Sequence, residues 1–503
     1  MRPVAPGWPA RVVVLGGGTA GWLAAMTISD TAARKSPGTS VTVIESTKLG
    51  VIGVGEGSTA VFRQMLRRFG LSEEEFLRET GATIKLGIRH RDWRRLGHHY
   101  DGPIDDPHLV APGLPLDTYA VAAGRPVQEA HLFQHLIWKS RGPYAEVDGR
   151  RIPAGPFHHA FHFDQALVGQ WLRRKAKGIT LLDDQVTGVE KGGEGIRAVL
   201  TEGGRRIEGD LFVDASGFRR ALVREMPFAW QSFRAMLPNN RALPFWLDLE
   251  DGEEILPVTG AWAQGSGWMW TIPTQSRYGC GYVYCDAYLT PEEAQREIEA
   301  ALGRPIEPRG DIRIDPGRQR DVWVGNVLAV GLAGSFLEPL EATSIHGTIV
   351  QLIGFTEWLG DPDAKAKVNA LAARQVDDYR DFVRLHYVSE RRDTPYWRDV
   401  TASHPPEVTD RLDAWSRRVP TAADFPEFPL GLAHVQQQLY VPVLDGLGLL
   451  DRDAAREAMA RDPALRQRTR EAHAGLVNEY ESAANKCLPH RAMLQRLVNQ
   501  VAA

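Results

Sequence analysis

The sequence predicts an α/β fold: a doubly wound, dinucleotide-binding domain with a second sheet inserted into it and a helical C-terminal region. Three observations carry this. The stretch Arg11 to Gly21 reads RVVVLGGGTAG, an apolar strand (Val12 to Leu15) running into glycines at 16, 17, 18 and 21. A second apolar strand, Val41 to Ile44, ends on Glu45. The pattern then returns to a strand of the same type at Val327 to Val330, after an intervening block with strands of its own.

The first observation is a strand, a tight turn and the helix-compatible run Trp22 to Ile28, with GxGxxG met by Gly16, Gly18 and Gly21. Glycine there lets a pyrophosphate approach the amides of a helix N-terminus, where the dipole favours negative charge. Thr19 and Ala20 complete that turn. Glu45 follows the last glycine by 24 residues, close to the roughly 20-residue spacing of a carboxylate that binds an adenosine ribose. The alternative is a glycine turn that only packs helix on strand. The layout then separates two cofactors. A nicotinamide enzyme closes its cofactor domain in one continuous block. A flavin hydroxylase interrupts it with a substrate sheet, as here, so FAD is favoured over NAD.

Along the chain, residues 1–60 read as a βαβ unit. Leu49 to Ser58, with three alternating glycines, reads as a mobile strap. Residues 59–80 read as helical, and Gly81 to Trp93 as one strand carrying Lys85. Residues 94–155, rich in Gly, Pro, His and Asp, read as loops that build a pocket. Phe161 to Lys177 reads as a helix with Asp164 near its start. Ile179 to Glu190 and Ile196 to Glu202 read as strands, Asp210 to Gly217 as a buried strand ending on a polar, glycine-containing turn, and 240–285 as a second sheet. Glu338 to Gly354 reads as a helix. The expected organisation is 1–360 as the core, with insertions at about 94–160 and 220–310, and 361–503 as a mainly helical, substrate-side region.

Composition bounds the class. With 43% apolar and 24% charged residues over 503 positions, the chain reads as an ordinary globular protein with a large core. A net charge of −4 argues against a nucleic-acid binder. Three cysteines make no disulfide framework and no metal spacing, which predicts a reducing, cytoplasmic setting. No apolar run is long enough for a membrane span. His158, His159 and His162 lack a cysteine or carboxylate at ligand spacing and read as structural or pocket-lining, so no metal is expected.

Five stretches in order resemble the flavin-dependent tryptophan halogenase family: GGGTAGW (16–22), GVGEGST (53–59), IKLGIRHRDW (84–93), WMWTIP (268–273) and FLEPLEATSIH (336–346). DASGFR at 214–219 extends the resemblance, which spans about residues 11–350. It implies chemistry in which FADH2 from a separate flavin reductase reacts with oxygen and bound chloride or bromide is oxidised to hypohalous acid. That acid travels through an internal tunnel, and an electron-rich aromatic ring is halogenated. Lys85 matches the family's catalytic lysine. An ammonium can polarise HOX, and burial would favour the neutral amine that forms a haloamine. The bland alternative is a solvent-facing lysine on a strand. Glu341 matches the family glutamate and is favoured over Glu338 by its place in the motif. It would orient HOX or take the ring proton, where the alternative is an acid stabilised by a helix dipole. Thr343 and Ser344 match the positions whose backbone amides hold halide. Trp268 and Trp270 match the tryptophans that wall substrate off from flavin. For FAD, the resemblance adds the strap around Val54, Val186, Leu332 and Ile345. A homodimer is also implied.

The chain departs from the pattern at four places. Ala342 stands where many members have serine, and some carry glycine where this chain has Ser344. The strap ends Ser58-Thr59-Ala60. In place of the His-Pro-Phe that sandwiches the indole of tryptophan, the chain has Gly102-Pro103-Ile104, and Leu430 to Leu450 lacks the set that grips an amino-acid backbone. These changes predict a more open pocket, for indole, an indole derivative or a larger aromatic. The alternatives are a flavin monooxygenase or a flavin-binding protein without halogenase turnover.

Overall fold

The computed structural model describes residues 3–49, 55–193 and 195–499. At its centre is a six-stranded sheet in the order Thr180–Asp183, Ser40–Glu45, Arg11–Leu15, Leu211–Asp214, Val327–Ala329, Trp323–Val324. The first five strands are parallel and the last is antiparallel. The first strand sits mid-sheet with later strands added to either side, the doubly wound arrangement that the glycine turn predicts. Val12, Val13, Val14, Val41, Val43 and Val213 are almost wholly buried, because helices and a small sheet cover both faces. The helix Thr19–Lys35 leaves directly from the glycine turn.

A second, seven-stranded sheet runs Ile312–Arg313, Arg241–Asp248, Arg277–Tyr284, Gly267–Pro273, Val258–Ala263, Gly87–Arg91, His99–Pro103. Trp268 and Trp270 alternate with Met269, so the tryptophans face one apolar cluster and the methionine another. The Trp270 ring lies over Gly281, where a Cβ would fall 2.0 Å from it.

Several sequence expectations change. Residues 81–93 are two strands in different sheets. Thr83–Lys85 pairs with Ala160–Asp164, and Gly87–Arg91 joins the seven-stranded sheet beside Val258–Ala263. Leu86 is the crossing point: its N–H donates to Pro257 and its carbonyl accepts from Ile104. Gly87 permits the crossing, since a Cβ there would sit 2.8 Å from the Gly102 carbonyl. Part of the strap, Gly55–Gly57, is a short strand on the other side of Ala160–Asp164; Val54 lies outside the described residues. The region 94–155 is not mainly loop. It holds the helices Leu116–Ala123 and Leu132–Trp138 and the hairpin Arg141–Val147 with Arg150–Pro153. The helix read from 161 starts at Gln165, because Phe161 to Asp164 is a buried strand and Asp164 caps the helix through the amides of Ala166 and Leu167. Glu338 and Glu341 both precede their helix, which spans Thr343–Trp358. Beyond 360 the chain is largely helical, and no described helix is long and apolar enough to cross a membrane.

Candidate functional site

The glycine turn opens onto a cavity of about 780 Å³ lined by Gly16, Gly17, Gly18, Glu45, Arg173, Val186 and Ser216 among others. Four features suit a dinucleotide there. Gly18 is the N-cap of Thr19–Lys35 with no side-chain cap, which leaves first-turn amides open. Its absent Cβ would meet nothing within 4 Å, so a ligand can approach its backbone. A Cβ on Gly17 would collide with Glu45, which brings the carboxylate against the turn. Burial raises the Glu45 carboxyl, and Arg173 opposes that shift. Arg173 was not singled out from the sequence; it lies on the helix Gln165–Lys175, far in sequence from any cofactor motif. Gly21 packs on the Gly16 carbonyl, and Gly331 packs on Ala20, which brings the Gly331–Ala333 turn carrying Leu332 to the same end of the sheet. Ile345 is buried in the first turn of the Thr343–Trp358 helix.

That helix begins without a side-chain cap. Its N-cap, Ala342, has φ 54°, a left-handed conformation rare for alanine. A left-handed residue ahead of free first-turn amides forms a concave anion nest at the positive end of a helix dipole. Thr343 and Ser344 supply those amides and line a small pocket with Gly331 and Ser335. Glycine at 344 is not needed for this, since the groups involved are backbone.

Lys85 is 2% exposed. Its ammonium end lies where a Cβ on Gly57 would be 3.2 Å away, so the strap and the lysine strand meet at this atom. Burial pulls its pKa down to about 8, against the opposing charge of Glu341. Glu341 is likewise buried. Burial alone would raise its carboxyl, but His386 and His90 beside it hold it down at about 2. Nε2 of His386 is 2.9 Å from Glu341 Oε1, and Nε2 of His90 is 3.4 Å from the same oxygen. Neither histidine was picked out from the sequence. His90 stands in the lysine motif, but the strand break at Leu86 hides which way it faces. Among the described residues, one group of His, Cys, Asp or Glu side chains brings three ligand-type atoms within 4.8 Å, and it is this one. His162, expected to be structural or pocket-lining, is buried near the lysine and bonds Thr259 through Nε2.

Glu338 is placed differently from Glu341. Its Oε2 accepts from Trp268 Nε1 at 2.8 Å, from Asn239 at 3.0 Å and from the Tyr387 hydroxyl. It anchors the tryptophan strand and does not meet the lysine. Trp268 and Trp93 pack at 6.0 Å between ring centroids, and Trp93 also packs on His386. Trp93 thus links the Trp268 ring to His386, which lies beside Glu341.

A doubly wound sheet with a cavity at its glycine turn, an inserted sheet and a buried lysine that feels the charge of a buried glutamate define an oxidoreductase of the flavoprotein type. The chain belongs to the tryptophan halogenase family of flavin-dependent enzymes, whose model matches residues 11–461. It is 33% identical to the tryptophan 6-halogenase SttH of Streptomyces toxytricini, over 92% of this chain and 93% of that one. It is 31% identical to the 7-chloro-L-tryptophan 6-halogenase KtzR of a Kutzneria species, over 94% and 99%. Among solved structures it resembles BrvH, a flavin-dependent halogenase from Brevundimonas sp. BAL3, with TM-score 0.83 and 28% identity over 98% and 99% of the two chains.

Proposed function

We propose that this protein binds FAD in the 780 Å³ cavity and uses the reduced cofactor, dioxygen and chloride or bromide to halogenate an indole-like aromatic. The observation that carries the reading is Lys85, sealed from solvent beside Glu341. A cation in such a place costs stability and is retained for chemistry. The bound reduced flavin, supplied by a separate reductase, would provide with oxygen the oxidising equivalents that turn halide into HOX. The chain does the rest. The amides of Thr343 and Ser344 hold the halide at the helix start. Trp268 and Trp270 keep organic substrate away from the cofactor, which prevents direct oxygenation. With its pKa near 8, Lys85 is poised between an ammonium that hydrogen-bonds HOX and an amine that takes up the halogen. Glu341 receives the proton displaced from the ring.

The pocket supports an indole or a larger aromatic over free tryptophan. At Gly102 a side chain would contact His90 (3.8 Å), and its absence leaves room there. The neighbouring ring is Tyr100, packed against Gly446 of the helix Gln437–Leu447. The test is incubation with FAD, a flavin reductase, NADH and chloride or bromide over an aromatic panel, read by mass spectrometry. The expected result is a halogen isotope pattern that vanishes in Lys85→Ala while reduced-flavin oxidation continues. An oxygenated product formed without halide would overturn the reading.

A further inference from the structure

A chain of hydrogen bonds with a fixed direction runs through the sheet that carries Lys85. In the three-stranded sheet of Gly55–Gly57, Ala160–Asp164 and Thr83–Lys85, His162 is the ladder partner of Gly57 on one side and of Thr83 on the other. Residues opposed across a ladder project to one face, as does the residue two further along a strand. Thr83, His162 and Lys85 therefore share a face, and Thr259 of the strand Val258–Ala263 meets that face at His162. All four residues are buried.

The far end of the chain sets its direction. Thr83 Oγ1 lies 2.7 Å from the carbonyl of Pro273, the last residue of the tryptophan strand Gly267–Pro273. A carbonyl can only accept, so the Thr83 proton is committed there. Toward His162 Nδ1, 3.4 Å away, the Thr83 oxygen then accepts. Burial pulls this imidazole well below its ordinary range, which keeps it neutral, so its one ring proton sits on Nδ1. Nε2 is left as a lone pair, and Thr259 Oγ1 at 2.9 Å donates to it. With its proton spent, Thr259 Oγ1 has only acceptor capacity left. A Cβ placed on Gly57 would meet Thr259 Oγ1 at 3.4 Å and Lys85 Nζ at 3.2 Å, so the hydroxyl and the amine share the space over that glycine. The amine brings donors to an oxygen that can only accept.

We propose that His162 sets Thr259 as an acceptor for the Lys85 amine, so that both are positioning residues that hold Nζ over Gly57. One N–H directed at Thr259 fixes where the rest of the amine points, and those positions face arriving HOX. A polar tie between the two sheets, the simpler role for these residues, would position no amine.

The proposal rests on the halogenase reading, so one arm of the test needs no activity. In the full chain labelled with 15N-histidine, at neutral pH, the ring signal that is missing from His162→Gln should be that of a neutral imidazole protonated on Nδ1. The other tautomer, with its proton on Nε2, would overturn the proposal. In the second arm, halogenated product formed per reduced flavin consumed is measured alongside an enolisable diketone that traps HOX escaping from the protein. Thr259→Val, which keeps the shape and removes the oxygen, should lower that ratio several-fold and raise the trapped halogen, with flavin affinity and substrate KM unchanged. Thr259→Ser, which returns the hydroxyl, should recover most of the ratio. An unchanged ratio in Thr259→Val would overturn the proposal, as would an equal loss in Thr259→Ser. A fall in flavin affinity together with the ratio in Thr259→Val would make the hydroxyl a structural tie and also overturn it. Absence of halogenated product from every form, wild type included, would remove the halogenase reading, while the tautomer of His162 would still decide whether Thr259 is left as an acceptor.

Discussion

Lys85 is a cation in a place where water cannot reach it. Its pKa of about 8, against an ordinary value near 10.5, means that the unfolded chain binds more protons between those two limits. Stability therefore rises with pH from about 8 to 10.5, and below pH 8 the full penalty is present, on the order of 3 kcal/mol. Lys85→Met should raise the thermal unfolding midpoint at pH 7 while abolishing halogenated product. A lower midpoint would show that the lysine is structural. Glu341 is the reverse case. Its depressed carboxyl contributes stability above about pH 4.5, lost as pH falls toward 2. The two residues were legible in the sequence only through the motifs around them. A single lysine in GATIKLGIRHRDW carries no burial signal, and what makes it special is a strand 75 residues away, Ala160 facing it across the ladder.

At the scale of elements, the start of the helix Thr343–Trp358 is where we propose that halide is held. The nest depends on Ala342 keeping φ near +54°. A β-branched residue resists that conformation strongly. Ala342→Val should lower stability by about 1–2 kcal/mol and raise the halide KM several-fold while leaving flavin affinity unchanged, measured by denaturant unfolding and by bromide titration of turnover. An unchanged halide KM would place the anion elsewhere. The sequence placed this helix's start at Glu338, five residues early. The acids at 338 and 341 look like first-turn acids in the one-dimensional pattern. Tertiary contacts claim them instead, Glu338 through Trp268 and Tyr387, Glu341 through the two histidines. Residues 161–164 of the strand Ala160–Asp164 were read as helix for a related reason. Phe161 and Phe163 point into the core around Phe62 and Phe76, a period-two pattern masked by the helical run that follows.

For the molecule as a whole, several histidines are buried in neutral form. His346 donates from Nε2 to Ala433 and accepts at Nδ1 from Thr59; His490 donates from Nδ1 to Ile255 and accepts at Nε2 from the Ile84 amide. Burial pulls both down to about 4. The unfolded chain, with histidines near 6.5, binds more protons than the folded one between pH 6.5 and 4. The contribution of these two histidines should be complete above pH 6.5 and fall steadily as pH drops to 4. A midpoint flat over that range would contradict the neutral assignment. The doubly wound sheet and inserted sheet were legible because strand periodicity and glycine turns are local signals. The pocket region at 94–155 was not, because its short helices are held by packing on residues from the C-terminal third, such as Arg452 against Gly124 and Tyr480 near His135.

The bond from the Ile84 amide to His490 spans 406 residues and sits one position before the lysine. A ribosome delivers the glycine turn, the tryptophan strand and the start of the Thr343–Trp358 helix long before it delivers that imidazole. A chain clipped before residue 487 loses the acceptor of the Ile84 amide, so the strand that carries Lys85 is fastened by the last stretch of chain to be made.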